Sequence, residues 1–154
     1  MREAGQDDVA QLLDMMEEFY AESGYVLDRQ EARASFEALL GEPRLGRVWL
    51  VEQGEDVAGY VVVTLVFAME YAGMMGVVDD FFVRPAWRGR GLGTAALAAV
   101  RRVCAGLGVR ALRVEVGHEN AAAQAVYRSA GFETLERRLM AVRLEEPARR
   151  GDAA

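Results

Sequence analysis

"VVDDFFVRPAWRGRGLGTAAL", residues 77–97, decides how this chain is read. It opens as an apolar, β-type run broken by two adjacent acids, Asp79 and Asp80. Pro85 stops the run, because proline has no N–H to give a ladder. Arg88, Gly89, Arg90, Gly91 and Gly93 then place positive charge and permissive backbone where an alanine-rich helical run begins. Unpaired N–H groups at a helix start, helped by the helix dipole, bind anions. Glycine lets a backbone approach such an anion closely. The stretch therefore reads as a diphosphate cradle, with a merely tight strand-to-helix connection as the rival.

The sequence around it predicts the other elements. Apolar spacing at Val9, Leu12, Leu13, Met16 and Phe19 predicts a helix over 7–22. Asp28 with Glu31 looks like a capping box, and Ala32, Phe36, Leu39 and Leu40 continue a second helix until Gly41 and Pro43. Strands follow at 46–53, 57–70 and 77–83, then a helix over 91–107. A strand is predicted at 111–116, a short helix at 119–130, and a last strand at 140–145. The order α-α-β-β-β-α-β-α-β gives an α/β chain with one mixed sheet and helices packed on it. No repeat or linker divides it. A single domain is expected over 1–145, followed by a frayed tail at 146–154.

Composition narrows the function. The chain has 154 residues and a net charge of −6, which argues against nucleic acid and anionic membrane surfaces as partners. All 18 basic residues are arginine, so the nucleoside-triphosphate loop, which needs a Gly-Lys-Ser/Thr ending, is excluded. "GLGTAA" fits the dinucleotide fingerprint in form, but "RPAWR" separates it from its strand, and too little chain follows to complete a doubly wound domain. Cys104 is the single cysteine; its helical apolar setting makes it a buried thiol before a nucleophile. No Cys/His cluster suggests a metal. With no leader-like N-terminus and no membrane-length apolar run, a cytoplasmic location is expected.

Two motifs together carry a resemblance. Arg88, Gly91 and Gly93 meet the Arg/Gln-x-x-Gly-x-Gly/Ala signature of the GNAT superfamily of N-acetyltransferases. Downstream, "NAAAQAVYRSAGFE" resembles that family's second motif through Asn120, Tyr127 and Gly131-Phe132. The resemblance implies a mostly antiparallel sheet whose central strands splay apart, with acetyl-CoA in the cleft. It implies that the backbone of Phe81, Phe82 and Val83 bonds the pantetheine arm. The loop Arg88, Gly89, Arg90, Gly91, Leu92, Gly93 and Thr94 would hold the pyrophosphate. Asn120 would bond the cofactor arm or cap a helix, or both.

The implied chemistry is direct transfer of acetyl from a thioester to a primary amine. An alkyl ammonium titrates near the lysine value of about 10.4, so it must lose a proton before attack. Tyr127 matches the family's general acid, with a packed core tyrosine as the rival role. Asp79 is the first choice of base, acting through water, because its position resembles the acid of the polyamine-acetylating branch. Asp80 is second, and a β-bulge would change which of the two faces the cleft. Glu115 reads as structural, and His118 as a loop residue. The segments 19–27 and 67–76 would build the acceptor pocket, where Tyr20, Glu22, Tyr25, Glu70 and Tyr71 could receive a cationic amine, or simply pack. A catalytically silent acyl-CoA sensor on the same fold is the alternative function. Acceptor identity, acyl length and a homodimer are left open.

Overall fold

The computed structural model describes residues 1–142 and 144. Five strands lie in the spatial order of their sequence: β1 (Arg2–Glu3), β2 (Gly46–Gln53), β3 (Asp56–Ala68), β4 (Gly73–Val83) and β5 (Ala111–Val114). All neighbours are antiparallel except β4 and β5, which run parallel. The helices are α1 (Val9–Glu22), α2 (Arg29–Gly41), α3 (Leu92–Gly106) and α4 (Ala121–Ser129).

The sheet separates two apolar cores. On one face Leu12, Leu13 and Met15 of α1 and Phe36 of α2 meet Val48, Leu50, Tyr60, Val62 and Phe82. On the other, Leu97, Val100 and Cys104 of α3 and Tyr127 of α4 meet Trp49, Val61, Val63 and Val78. The alternation within "WLVEQ" and "YVVV" explains this: successive strand residues serve opposite faces. Asp28 starts α2 by accepting from the N–H groups of Gln30 at 2.9 Å and Glu31 at 3.0 Å.

Two expectations need correction at the sheet's edges. The two polar residues of β1 carry no strand signal of their own; their pairing with Leu50 and Trp49 makes the strand. The expected last strand does not form at 140–142 or 144, and residues 143 and 145 lie outside the described residues, as does the tail 146–154. Met140, Val142 and Leu144 are 82–91% exposed. They have the alternation of a strand, but alternation becomes a strand only when a ladder partner takes up the backbone.

Candidate active site

β4 and β5 pair only from Met75–Ala111 to Val78–Val114. β5 then ends while β4 runs on to Val83, so the two strands part and leave the β5 side of residues 79–83 without a strand. At the same point β4 carries an irregularity against β3: Val62 pairs with Asp80, but Val63 pairs with Val78, leaving Asp79 as the extra residue. The splay and the bulge coincide, and the two acids lie at both.

The bulge separates the acids by environment. Asp79 is exposed, whereas Asp80 is half-buried and accepts the Tyr60 hydroxyl at 3.0 Å. Burial pushes the Asp80 carboxyl up to about 6; the Tyr60 hydrogen bond works against that shift, and the Asp79 charge adds to it. Tyr20 of α1 looks onto the same place. Its hydroxyl is raised by burial and then by the charges of Asp80 and Asp79. Among the described residues neither aspartate is in an ion pair.

Tyr127 approaches from the other face. Its ring packs 6.2 Å from Phe81 and 5.6 Å from Phe132. Burial pushes its hydroxyl up to about 12, and the charge of Asp80 adds to the shift. The phenol therefore keeps its proton at neutral pH and can donate it. Asp80 and Tyr127 thus flank the splay from opposite sides of the sheet, close enough for one to feel the other.

The glycine loop follows β4. Gly91 caps α3 in the left-handed region, φ 74°, and Gly89 has φ 73°. The first α3 bond runs from Ala95 N–H to Gly91 C=O at 3.0 Å, so the N–H groups of Leu92, Gly93 and Thr94 have no helix acceptor. Nothing lies within 4 Å of a Cβ built at Gly89 or Gly91. Gly93 differs: a Cβ there would meet Phe81 Cζ at 3.3 Å and Val126 Cγ1 at 3.4 Å, so its smallness serves the packing of α3 on β4 and α4. Arg90 lies over the Trp87 ring at 5.3 Å and makes no ion pair among the described residues. Open N–H groups, left-handed glycines and a free guanidinium suit a diphosphate, and the splay beside them suits a long extended arm.

The remaining expected residues divide. Arg88 donates to Val83 C=O at 2.7 Å and to both oxygens of Glu22 at 2.8 Å, tying the cradle to the end of α1. Glu18, which the sequence did not single out, pairs with Arg84 at 2.8 Å and ties α1 to the end of β4 as well. Glu70 accepts from Arg113 at 2.7 Å and from Arg137, whose hydrogen bond is the main reason its carboxyl is lowered. Glu22 and Glu70 therefore have their charge answered by arginine. Tyr25 is 70% exposed, 6.5 Å ring to ring from Tyr20. Tyr71 lies under Arg113 at 5.7 Å. Asn120 caps α4, accepting from Ala123 N–H at 3.0 Å, seven residues before Tyr127. His118 is exposed, and its carbonyl accepts from Gln124 at 3.0 Å. Tyr60 was also missed; the available signal was the single tyrosine of β3, at the head of the aliphatic run "VVV".

The sheet is thus splayed beside a glycine loop with open N–H groups, with an acid pair on one side and a buried phenol on the other. The profile of the Acetyltransferase (GNAT) family matches residues 11–132, and the chain belongs to that family. An integron cassette protein from the mobile metagenome of Cole Harbour Salt Marsh is 49% identical, with a TM-score of 0.86 over 95% of this chain and 91% of that one. The "predicted acetyltransferase" of Clostridium acetobutylicum, solved with acetyl-CoA, shares the fold at 16% identity, with a TM-score of 0.77 over 92% of this chain and 94% of that one. An aminoglycoside N(6')-acetyltransferase type 1 of Stenotrophomonas maltophilia is 38% identical over 63 residues. That match spans 41% of each chain. No helix among the described residues is long and apolar enough to cross a membrane, and they hold no cluster of metal-ligating side chains.

Proposed function

We propose that the chain, as one unit over 1–145, moves an acetyl group from acetyl-CoA directly to a primary amine of a cationic small molecule. Polyamino sugars of the aminoglycoside type are the first candidates and polyamines the second. The observation that carries the reading is the pair of carboxylates at the splay, unanswered by any cation among the described residues, beneath Tyr20. Glu18, Glu22 and Glu70, by contrast, are each held by an arginine. The stretch shared with the Stenotrophomonas enzyme supports the choice of acceptor.

Acetyl-CoA, when bound, supplies a thioester whose carbonyl carbon accepts the amine. The loop from Arg88 to Thr94 would hold its diphosphate, and the free side of Phe81, Phe82 and Val83 its arm. Asp80 takes one proton from the ammonium. A C–N bond then forms at the carbonyl carbon, and the C–S bond breaks. Tyr127 gives its proton to the departing sulfur and recovers one from solvent, which also receives the second nitrogen proton. A backbone N–H near Val83 would stabilise the oxyanion. No Ser or Cys nucleophile is required.

The test mixes the protein with acetyl-CoA and a panel of aminoglycosides, polyamines and peptidyl amines, and reads free CoA. Turnover with the aminoglycosides is expected. CoA binding without turnover on any amine would replace the reading with a silent acyl-CoA sensor.

A further inference from the structure

Tyr60 lies mid-strand in β3, in the fully buried run "YVVV". A buried phenol needs a hydrogen-bond partner. It has a carboxylate: its hydroxyl donates to Asp80 Oδ2 at 3.0 Å. The register pairs Tyr60 with Phe82 and Asp80 with Val62, on one face, so the bond runs diagonally across the two strands. Phe36 at 6.2 Å and Phe82 at 6.3 Å hold the ring. Burial, and then the charge of Asp80, keep the Tyr60 hydroxyl far above the ordinary phenol value, so it is only ever a donor here.

We propose that Tyr60 is a positioning residue for acetyl transfer: its hydroxyl fixes Oδ2 of Asp80, leaving Oδ1 to take the acceptor's proton. The inference rests on the acetyl-transfer reading above. In that step a proton moves from the ammonium nitrogen to Oδ1, and the lone pair left on nitrogen makes the attack. Tyr60 forms and breaks no covalent bond.

The groups facing Asp80 are Tyr60 from β3, Tyr20 from α1, Asp79 beside it on β4, and Tyr127 across the splay from α4. The tyrosines are neutral at working pH, so Asp79 is the charged neighbour. Two opposite levers therefore act on Asp80. The Tyr60 hydrogen bond favours the carboxylate, and the Asp79 charge disfavours it.

The experiment measures kcat/KM against pH for wild type, Tyr60→Phe and Asp79→Asn. Carbon-detected NMR titrations of the aspartate carboxyls are recorded on the same proteins. A base works once deprotonated, so activity rises with pH through its titration. Tyr60→Phe should move that acid limb up by about one pH unit, the scale of a hydrogen bond to a charged group. Asp79→Asn should move it down by about half a unit, the scale of a neighbouring charge in a partly solvated site. The Asp80 carboxyl titration should shift in the same two directions. A Tyr60→Phe limb and carboxyl titration that both coincide with wild type would overturn the proposal, whatever happens to the melting temperature. A wild type silent toward every amine would overturn the transfer reading instead, and the NMR titration would still decide whether Tyr60 governs the charge on Asp80.

Discussion

The two ends of the site lie along one strand and its exit, yet they are made in different ways. The cradle after Val83 is local: left-handed glycines, an arginine and the first turn of α3 all come from residues 88–94. The acid pair at 79–80 is not. Asp80 takes its character from burial, from Tyr60 on β3 and from the bulge against Val62 and Val63. A binding loop can be written in a short motif because backbone geometry follows from residue type. A proton affinity is set by burial and neighbouring charge, so it exists only once distant segments have packed.

The sharpest way to break this contrast is at Tyr127, which like Asp80 owes its proton affinity to burial. Tyr127→Phe keeps the ring between Phe81 and Phe132 and removes the proton. A fall in kcat within the roughly 10²–10⁴-fold range of acid–base groups is expected, with the calorimetric affinity for acetyl-CoA unchanged. An unchanged kcat in a chemistry-limited assay would make Tyr127 a packing residue alone.

The cradle should fail through binding instead. Gly91→Val forces a β-branched residue to φ 74° and puts a side chain among open N–H groups. At least a tenfold loss of CoA affinity is expected, together with a strain of about 1–2 kcal/mol read in a denaturant melt. Gly93→Val should act differently, because its Cβ meets Phe81 and Val126. Overpacking of about 1–3 kcal/mol is expected in the melt. Equal behaviour of the two variants in both measurements would erase the distinction between an open cradle and a packed one.

The smallest effect is expected where the two regions touch. Arg88 is shared between Glu22 and the cradle in an exposed ion pair, a kind that contributes little. Glu22→Gln releases the guanidinium for the diphosphate and should raise CoA affinity no more than about fivefold by calorimetry. A loss of affinity would mean that the tie to α1 builds the cradle.

Most of the architecture was legible in the chain because it is written in period and punctuation. β2 runs Gly46–Gln53 as its apolar run predicts, and Asp28 begins α2 as its cap predicts. The elements that escaped depend on partners: β1 is a strand because Leu50 and Trp49 accept it, and the expected strand at 140–145 shows none at its described positions. The same holds within the site. The glycine loop and the two acids could be noticed in the sequence. The different surroundings of Asp79 and Asp80 could not, because the bulge that exposes one and seats the other is a matter of register with β3. Nor could the sequence reveal that Glu22 and Glu70 are already answered by Arg88, Arg113 and Arg137.

Whether Asp80 is the group that takes the acceptor's proton is tested most directly by the pH profile of kcat/KM for Asp80→Asn beside wild type. Wild type should show an acid limb near 6, the value to which burial pushes this carboxyl. Asp80→Asn should lose the limb, with kcat/KM near neutrality falling by about 10²-fold or more. Retention of the limb and of wild-type rates in Asp80→Asn, with both lost in Asp79→Asn, would contradict the account and give the base to Asp79.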